Sequence, residues 1–139
     1  MKIFLDANVL ISVLNKEYPL FPYSSRVLSL VDYPNKYKVY TSPLCLAIAF
    51  YFAEKKSGAE QAREKIYLLS RKLSFTTISE NMVLSVCRNK NILDIEDGLQ
   101  YYSAKDSGCQ CIITENTDDF YFSDIEIMGS RSFLENHVF

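Results

Sequence analysis

At 139 residues and 48% hydrophobic content, the chain has the size and apolar share of one domain with one buried core, expected to span residues 1–139 without a linker. A net charge of −2 excludes a global basic field, so a nucleic-acid partner must be met by a local basic patch or through bridging metal. No run of about 18 uncharged apolar residues occurs, which excludes a helical membrane span, and the opening MKIFLDANVLISVLN is interrupted by Asp6 and Asn8; a cytoplasmic protein is expected.

Lys2 to Asp6 alternates and is β-prone, and Ala7 to Asn15 carries Val9, Leu10, Val13 and Leu14 at helical spacing. This predicts a strand feeding a helix, with Asp6 at the carboxyl end of the strand. Ser24 or Ser25 is the expected cap of a helix bearing Val27, Leu28, Leu30 and Val31, and Tyr37 to Thr41 reads as a second strand. Ser42 before Pro43 is an N-cap and first-turn pair that opens an apolar helix through Ala53, dissolving into Glu54-Lys55-Lys56-Ser57-Gly58. A helix from Ala59 to Lys72, a third strand from Ser74 to Ile78 and a Ser79-capped helix from Glu80 to Asn89 follow. Ile95 to Ser107 is expected to be helical and closed by Gly108, Gln110 to Thr114 to be a fourth strand, and Ile125 to Met128 a short fifth. Ser130 or Ser132 starts a last helix. Strands alternating with helical crossovers predict a three-layer α/β/α fold around a central, mainly parallel sheet of four to five strands.

In such sheets ligands gather beyond the carboxyl ends of the strands, where Asp6 and the Asn116 to Asp119 turn fall. Asp94 and Asp97, three apart around a helix start, can share that edge. Their like charges repel unless a cation sits between them, and an oxygen-rich set suits Mg²⁺ or Mn²⁺. Plain structural roles compete: Asp94 as a helix N-cap, Asp97 as a first-turn acid, Asp119 as a turn former, and Asp118 as a turn former by preference. Asp6 is the hardest to dismiss, because an acid between an apolar strand and an apolar helix needs a partner.

Cys45, Cys87, Cys109 and Cys111 include no C-x-x-C pair. Cys109 and Cys111 share a strand face and, with the lone His137, would make an incomplete soft-metal set; reduced, buried thiols are expected. Lys55, Lys56, Arg63, Lys65, Arg71 and Lys72 fall at helical spacing and read first as a solvated face, second as a basic rim for RNA. The groups Phe50-Tyr51-Phe52, Tyr101-Tyr102 and Phe120-Tyr121-Phe122 read first as packing in the core or between two copies, as in a homodimer, and second as base-stacking surfaces.

Three segments together resemble one family. I-F-L-D-A-N-V-L-I is similar to the first strand of PIN domains, D-I-E-D-G-L-Q-Y-Y to their D-F-E-D-A-L-Q-Y segment, and I-I-T-E-N-T-D-D-F to their I-I-T-x-N-x-x-D-F turn, with T-S-P-L-x-L-A between them. The resemblance covers nearly the whole chain in matching order. It implies a Mg²⁺- or Mn²⁺-dependent endoribonuclease, like the toxin half of VapBC-type pairs, with RNA as substrate and an antitoxin protein as partner. It also implies that Asp6, Asp97 and Asp119 are catalytic and metal-site acids, that Asn116 and Asp94 belong to the metal site, and that Glu is expected early in the helix after the second strand. The matching stretch here, Leu46-Ala47-Ile48-Ala49, holds no acid, and Glu54 lies six residues beyond Ile48, roughly 9 Å along a helix. A PIN-fold module that has lost turnover and binds RNA or protein is therefore the rival expectation.

Overall fold

The computed structural model describes residues 1–139. The first strand, β1 (Lys2–Leu5), ends at Asp6, whose carboxylate accepts from the Ala7 N–H at 2.8 Å as the first helix, α1 (Ala7–Leu14), begins. The second helix, α2 (Phe21–Leu28), starts earlier than expected, with Pro22 in its first turn, and continues as a 3₁₀ turn over Ser29–Asp32. Ser24 and Ser25 are not its caps. The Ser24 hydroxyl is buried inside the helix, where it meets the Ser12 hydroxyl at 2.7 Å and joins α2 to α1.

Ser42 does cap the helix after β2 (Lys38–Thr41): its hydroxyl accepts from the Cys45 N–H at 3.0 Å, opening α3 (Pro43–Ser57). Instead of dissolving after Ala53, α3 runs on through the charged segment. Glu54, Lys55 and Lys56 are good helix formers, the two lysines suit the negative end of the helix, and Gly58 at φ 84° stops it. The next helix, α4 (Ala59–Ser70), packs against α3, and the third strand, β3, is only Ser74–Phe75. The strand expected to reach Ile78 is cut short because buried Thr76 turns its hydroxyl to Ser103 at 3.1 Å as the chain leaves the sheet.

Ser79 caps α5 (Glu80–Arg88), Asp94 caps α6 (Ile95–Asp106), and Gly108 closes the latter at φ 79°. The strands β4 (Cys111–Ile113) and β5 (Glu126–Met128) follow, and α7 (Ser130–Phe133) passes into a π turn over Leu134–Val138. Cys87 is exposed, against expectation, while Cys45, Cys109 and Cys111 are buried. All four thiols are free.

The five strands form one sheet in the order β3-β2-β1-β4-β5, and every neighbouring pair is parallel. Right-handed crossovers that step outward from β1 to β3 put α1 to α4 on one face, and the return from β3 to β4 puts α5 and α6 on the other. The central strands are covered on both sides, and Ile3, Phe4, Leu5, Cys111, Ile112 and Ile113 anchor a core cluster of 23 buried residues. No helix is long and apolar enough to cross a membrane.

The seam between α5 and α6 depends on Gly98, in the first turn of α6. A Cβ there would stand 2.7 Å from Val86 Cγ1 and 2.8 Å from Ile92 Cγ2, and both of those carbons sit on stiff β-branched side chains. Gly98→Ala should therefore destabilise the protein by about 1–3 kcal/mol in urea unfolding, the overpacking cost outweighing a gain of about 1 kcal/mol in helix propensity. A variant as stable as the parent would show that the seam yields without cost.

Candidate metal centre

Chain connections leave β1 toward one face of the sheet and β4 toward the other, so the crevice beyond their carboxyl ends is a topological switch point. A hollow of about 320 Å³ lies there, lined by Asp6, Asp94, Glu96, Asp97, Asn116 and Asp119 together with Ala7, Asn8, Ile11, Ile48 and Phe52. Five side chains singled out in the sequence, Asp6, Asp94, Asp97, Asn116 and Asp119, thus come from three separate segments to one place.

Each arrives for a local reason. Asp6 is carried to the rim as the last residue before α1, and its Oδ2 accepts from the Thr114 hydroxyl at 2.9 Å, so the ends of β1 and β4 are bonded through the site itself. Thr114 Oγ1 also accepts from Asn8 Nδ2 at 3.0 Å and from the Asn116 N–H at 3.1 Å, while Asn8 Oδ1 accepts from the Glu115 N–H at 3.1 Å. These bonds fix the turn that presents Asn116. Asp119 follows on a 3₁₀ turn, Thr117–Phe120, pinned by the buried Phe120 ring. Asp118, read as a turn former, is not among the lining residues.

Asp94 combines two roles that the sequence left as alternatives. Its Oδ1 accepts from the Asp97 N–H at 3.1 Å as the N-cap of α6, and the same side chain walls the hollow. Asp97 enters from the first turn of α6, and one turn later the buried Gln100 side chain accepts from the Ser42 hydroxyl at 2.5 Å. That bond ties α6 to the start of α3.

The electrostatics are those of an acid cluster short of positive charge. Burial pushes the Asp97 carboxyl up to about 7, with further repulsion from Asp94, Asp6, Asp119 and Glu96. Burial also raises Asp6, against the opposing pull of the bonds from Thr114, Ala7 and Cys45. Glu96 moves the same way, first through burial and then through Asp94 and Asp6. Cys45, its thiol pushed up to about 12 by burial and by the Asp6 charge, stays protonated and donates to Asp6 Oδ1 at 3.8 Å.

Glu96, Asn8, Thr114 and Gln100 carry no site role in the sequence reading, and Cys45 is read there only as a buried thiol. Glu96 stands in the same D-I-E-D run as the two chosen acids, so helical proximity was the available signal; the others act through contacts between distant segments and left none. His137, the remaining member of the incomplete soft-metal set that the sequence disfavours, stands beside Glu126 at 3.1 Å.

Because Asp97 holds its proton to about pH 7 in the folded chain and releases it near the ordinary value of 3.8 when unfolded, the unfolded state binds fewer protons across that window. Stability of metal-free protein should therefore fall as pH rises from about 4 to about 7 and level off above, a slope moderated by the partial exposure of the side chain. Urea titrations across this range should show the decline, and Asp97→Asn should reduce it to the part that Asp6 and Glu96 contribute. A parent profile that rises through the window would mean the cluster is not strained.

Comparison with known proteins bears on the fold and the family. The family model for the PIN domain matches residues 2–118. Ribonuclease VapC1 of Aquifex aeolicus (strain VF5) is 28% identical over 137 residues, covering 96% of this chain and 94% of that protein. Among solved structures, VapBC-1 from nontypeable Haemophilus influenzae superposes with a TM-score of 0.70 at 22% identity, covering 94% of this chain and 99% of that one. VapBC2 from Rickettsia felis, bound to a DNA fragment from the promoter of the pair, gives 0.68 at 18% identity, covering 92% and 97%. A family match across most of the chain, on the fold and switch-point crevice described above, places this protein in the PIN-domain family.

Proposed function

We propose that the chain is a divalent-metal-dependent endoribonuclease of the PIN type, the toxin of a toxin–antitoxin pair. The observation that carries this reading is the gathering of Asp6, Asp94, Asp97, Asn116 and Asp119 in one switch-point hollow. The donor set fits Mg²⁺ or Mn²⁺: every polar ligand atom named is a hard oxygen, and the raised carboxyls of Asp6 and Asp97 mark burial first and mutual repulsion second, both of which a cation would offset. A bound divalent ion would lower the pKa of a water and offset charge on the scissile phosphate. The protein's own contribution is orientation. Thr114 and the Ala7 N–H aim Asp6, the N-cap bond of Asp94 sets the start of α6, and the Ser42–Gln100 bond holds α6 against α3. Asp97 must lose its proton to act as a ligand, so metal affinity should climb with pH up to about 7.

The relatives support the biological setting: one is a ribonuclease, and others were solved as VapBC pairs. A separate hollow of about 320 Å³ between α1, α2 and α4, lined by Val13, Leu14, Leu28, Leu68 and Leu69 and rimmed by Lys16, Lys65 and Lys72, offers an apolar seat for a partner segment with acidic flanks.

One observation favours a second reading, a PIN module with weakened or lost turnover. Ile48 lines the hollow at the place where the family resemblance implies Glu, and as the side chains stand no three acids converge on one coordination point. Manganese calorimetry run beside cleavage of a mixed RNA pool separates the two: binding with cleavage supports the enzyme, binding without it the module, and neither result would sink the metal site.

Asp6→Asn should abolish manganese binding and raise the melting temperature of metal-free protein, since it removes charge from the most buried acid of the cluster. Manganese affinity equal to the parent's would show that the site is misassigned. Ile48→Glu should tighten manganese binding and raise or create RNA cleavage, because Ile48 faces the hollow, whereas Ala47→Glu, on an exposed neighbour, should do neither. If Ile48→Glu only lowers the melting temperature, with no recovery in manganese, the correspondence of this helix to the family's acidic position is wrong.

A further inference from the structure

The lip of the acidic hollow carries an aromatic pair that the metal chemistry does not use. Phe52, one helical turn after Ile48 on α3, lines the hollow yet leaves 42% of its surface exposed, and its neighbour Tyr51 is 55% exposed. The two rings meet edge to face, with centroids 5.3 Å apart. Lys55 Nζ lies 4.2 Å from the Tyr51 centroid and 5.9 Å from that of Phe52, and no ion pair in the molecule engages it.

This placement divides the hollow into two unlike walls. The α6 and Asn116–Asp119 side is built from carboxylates and an amide, which repel phosphate unless metal intervenes and offer no aromatic face. The α1 and α3 side is mostly apolar, made by Ala7, Ile11, Ile48 and Phe52 with the amide of Asn8 between them, and Phe52 is its only π surface. A phosphate held at the acidic wall therefore brings the base attached to its sugar toward the apolar wall. An exposed ring beside a charged cluster gains little from burial within the chain, but it gains from a planar ligand laid on it.

We propose that Phe52 stacks the base of a nucleotide adjoining the scissile phosphate, with Lys55 facing the next phosphate along the strand. The inference rests on the ribonuclease reading. A base inside a duplex has both faces covered by its neighbours and cannot lie on Phe52, whereas a base in a loop, bulge or single strand can. Tyr51 holds the orientation of the Phe52 ring by its edge contact, and the ammonium of Lys55, resting on aromatic faces with no carboxylate to displace, reaches a phosphate by rotamer change alone. Stacking accepts every base, so the preference is for strandedness before sequence.

The test is fluorescence anisotropy in calcium buffer with a short fluorescein-labelled single-stranded RNA, its hairpin counterpart, and a series carrying one abasic site at each position in turn. Phe52→Ala and Phe52→Leu should each weaken single-strand binding roughly tenfold, and Phe52→Tyr should retain it. Manganese affinity, measured by calorimetry, should be the same for all three variants. The parent should bind the hairpin stem more weakly than the single strand and lose affinity at one abasic position, a dip that disappears in Phe52→Ala. Unchanged RNA affinity in Phe52→Ala, or an abasic profile that survives the substitution, overturns the proposal while leaving the metal site intact. Loss of self-association in place of RNA affinity assigns the ring to an interface between copies and overturns it as well. A parent that binds no RNA sinks the ribonuclease reading and the stacking role together, which distinguishes that failure from the others.

Discussion

The burial of one carboxylate governs this structure. Asp6 follows the fully buried run Ile3-Phe4-Leu5, and it retains only 7% exposure itself. An ionised carboxylate so placed costs several kcal/mol unless hydrogen bonds replace its lost water. The donors come from Ala7, Thr114 and Cys45, and the Thr114 hydroxyl that meets Asp6 is the same group that accepts from Asn8 and Asn116. Satisfying one buried acid therefore joins the ends of the two central strands, shapes the turn after β4 and directs Asn116 to the crevice.

The remaining acids accumulate around that point at a cost. Asp97 is the most informative, since a first-turn acid on an exposed helix would enjoy the positive end of the dipole, yet here burial and four neighbouring carboxylates push it up to about 7. Uncharged contacts hold the arrangement in place: the Ser42–Gln100 bond between α3 and α6, and the packing of Val86 and Ile92 onto Gly98. A site strained in this way trades stability for affinity toward a cation. Ile48 puts an apolar side chain into the hollow where the family resemblance implies Glu, so on the proposed reading the balance between an active and a weakened nuclease turns on that position.

Several cations near the end of α3 and on α4 are engaged within the chain. Lys65 donates to the Leu14 carbonyl and the Ser57 hydroxyl, Lys56 to the Asn15 carbonyl, and Arg71 lies over the Tyr67 ring at 5.9 Å. The two lysine contacts bind α4 and the end of α3 to α1, while Lys55, Lys56, Arg63, Arg71 and Lys72 remain exposed, as a solvated face requires. On the proposed nuclease reading, RNA meeting a chain of net charge −2 would gain its binding from the metal and from local contacts near the hollow, with association slower and less salt-dependent than for a protein with a basic face.

The sequence by itself determined the strand–helix alternation, the parallel sheet and the identity of the acids at its carboxyl edge. Periodicity, the Ser42, Ser79 and Asp94 caps and Gly108 are local signals that survive in any tertiary setting. What it could not decide were the lengths and contacts set by packing. The early start of α2 depends on Ser24 finding Ser12 across a helix pair, and the brevity of β3 depends on Thr76 finding Ser103. The same holds at the site. That Asp94 could be both cap and wall, that Glu96 would join the cluster, that Ile48 and Phe52 but not Ala47 face the hollow, and that Thr114 positions Asp6 all depend on which segments the crossovers bring together. Residue type is written along the chain, but direction and distance between remote side chains exist only once the core has fixed the helices against the sheet.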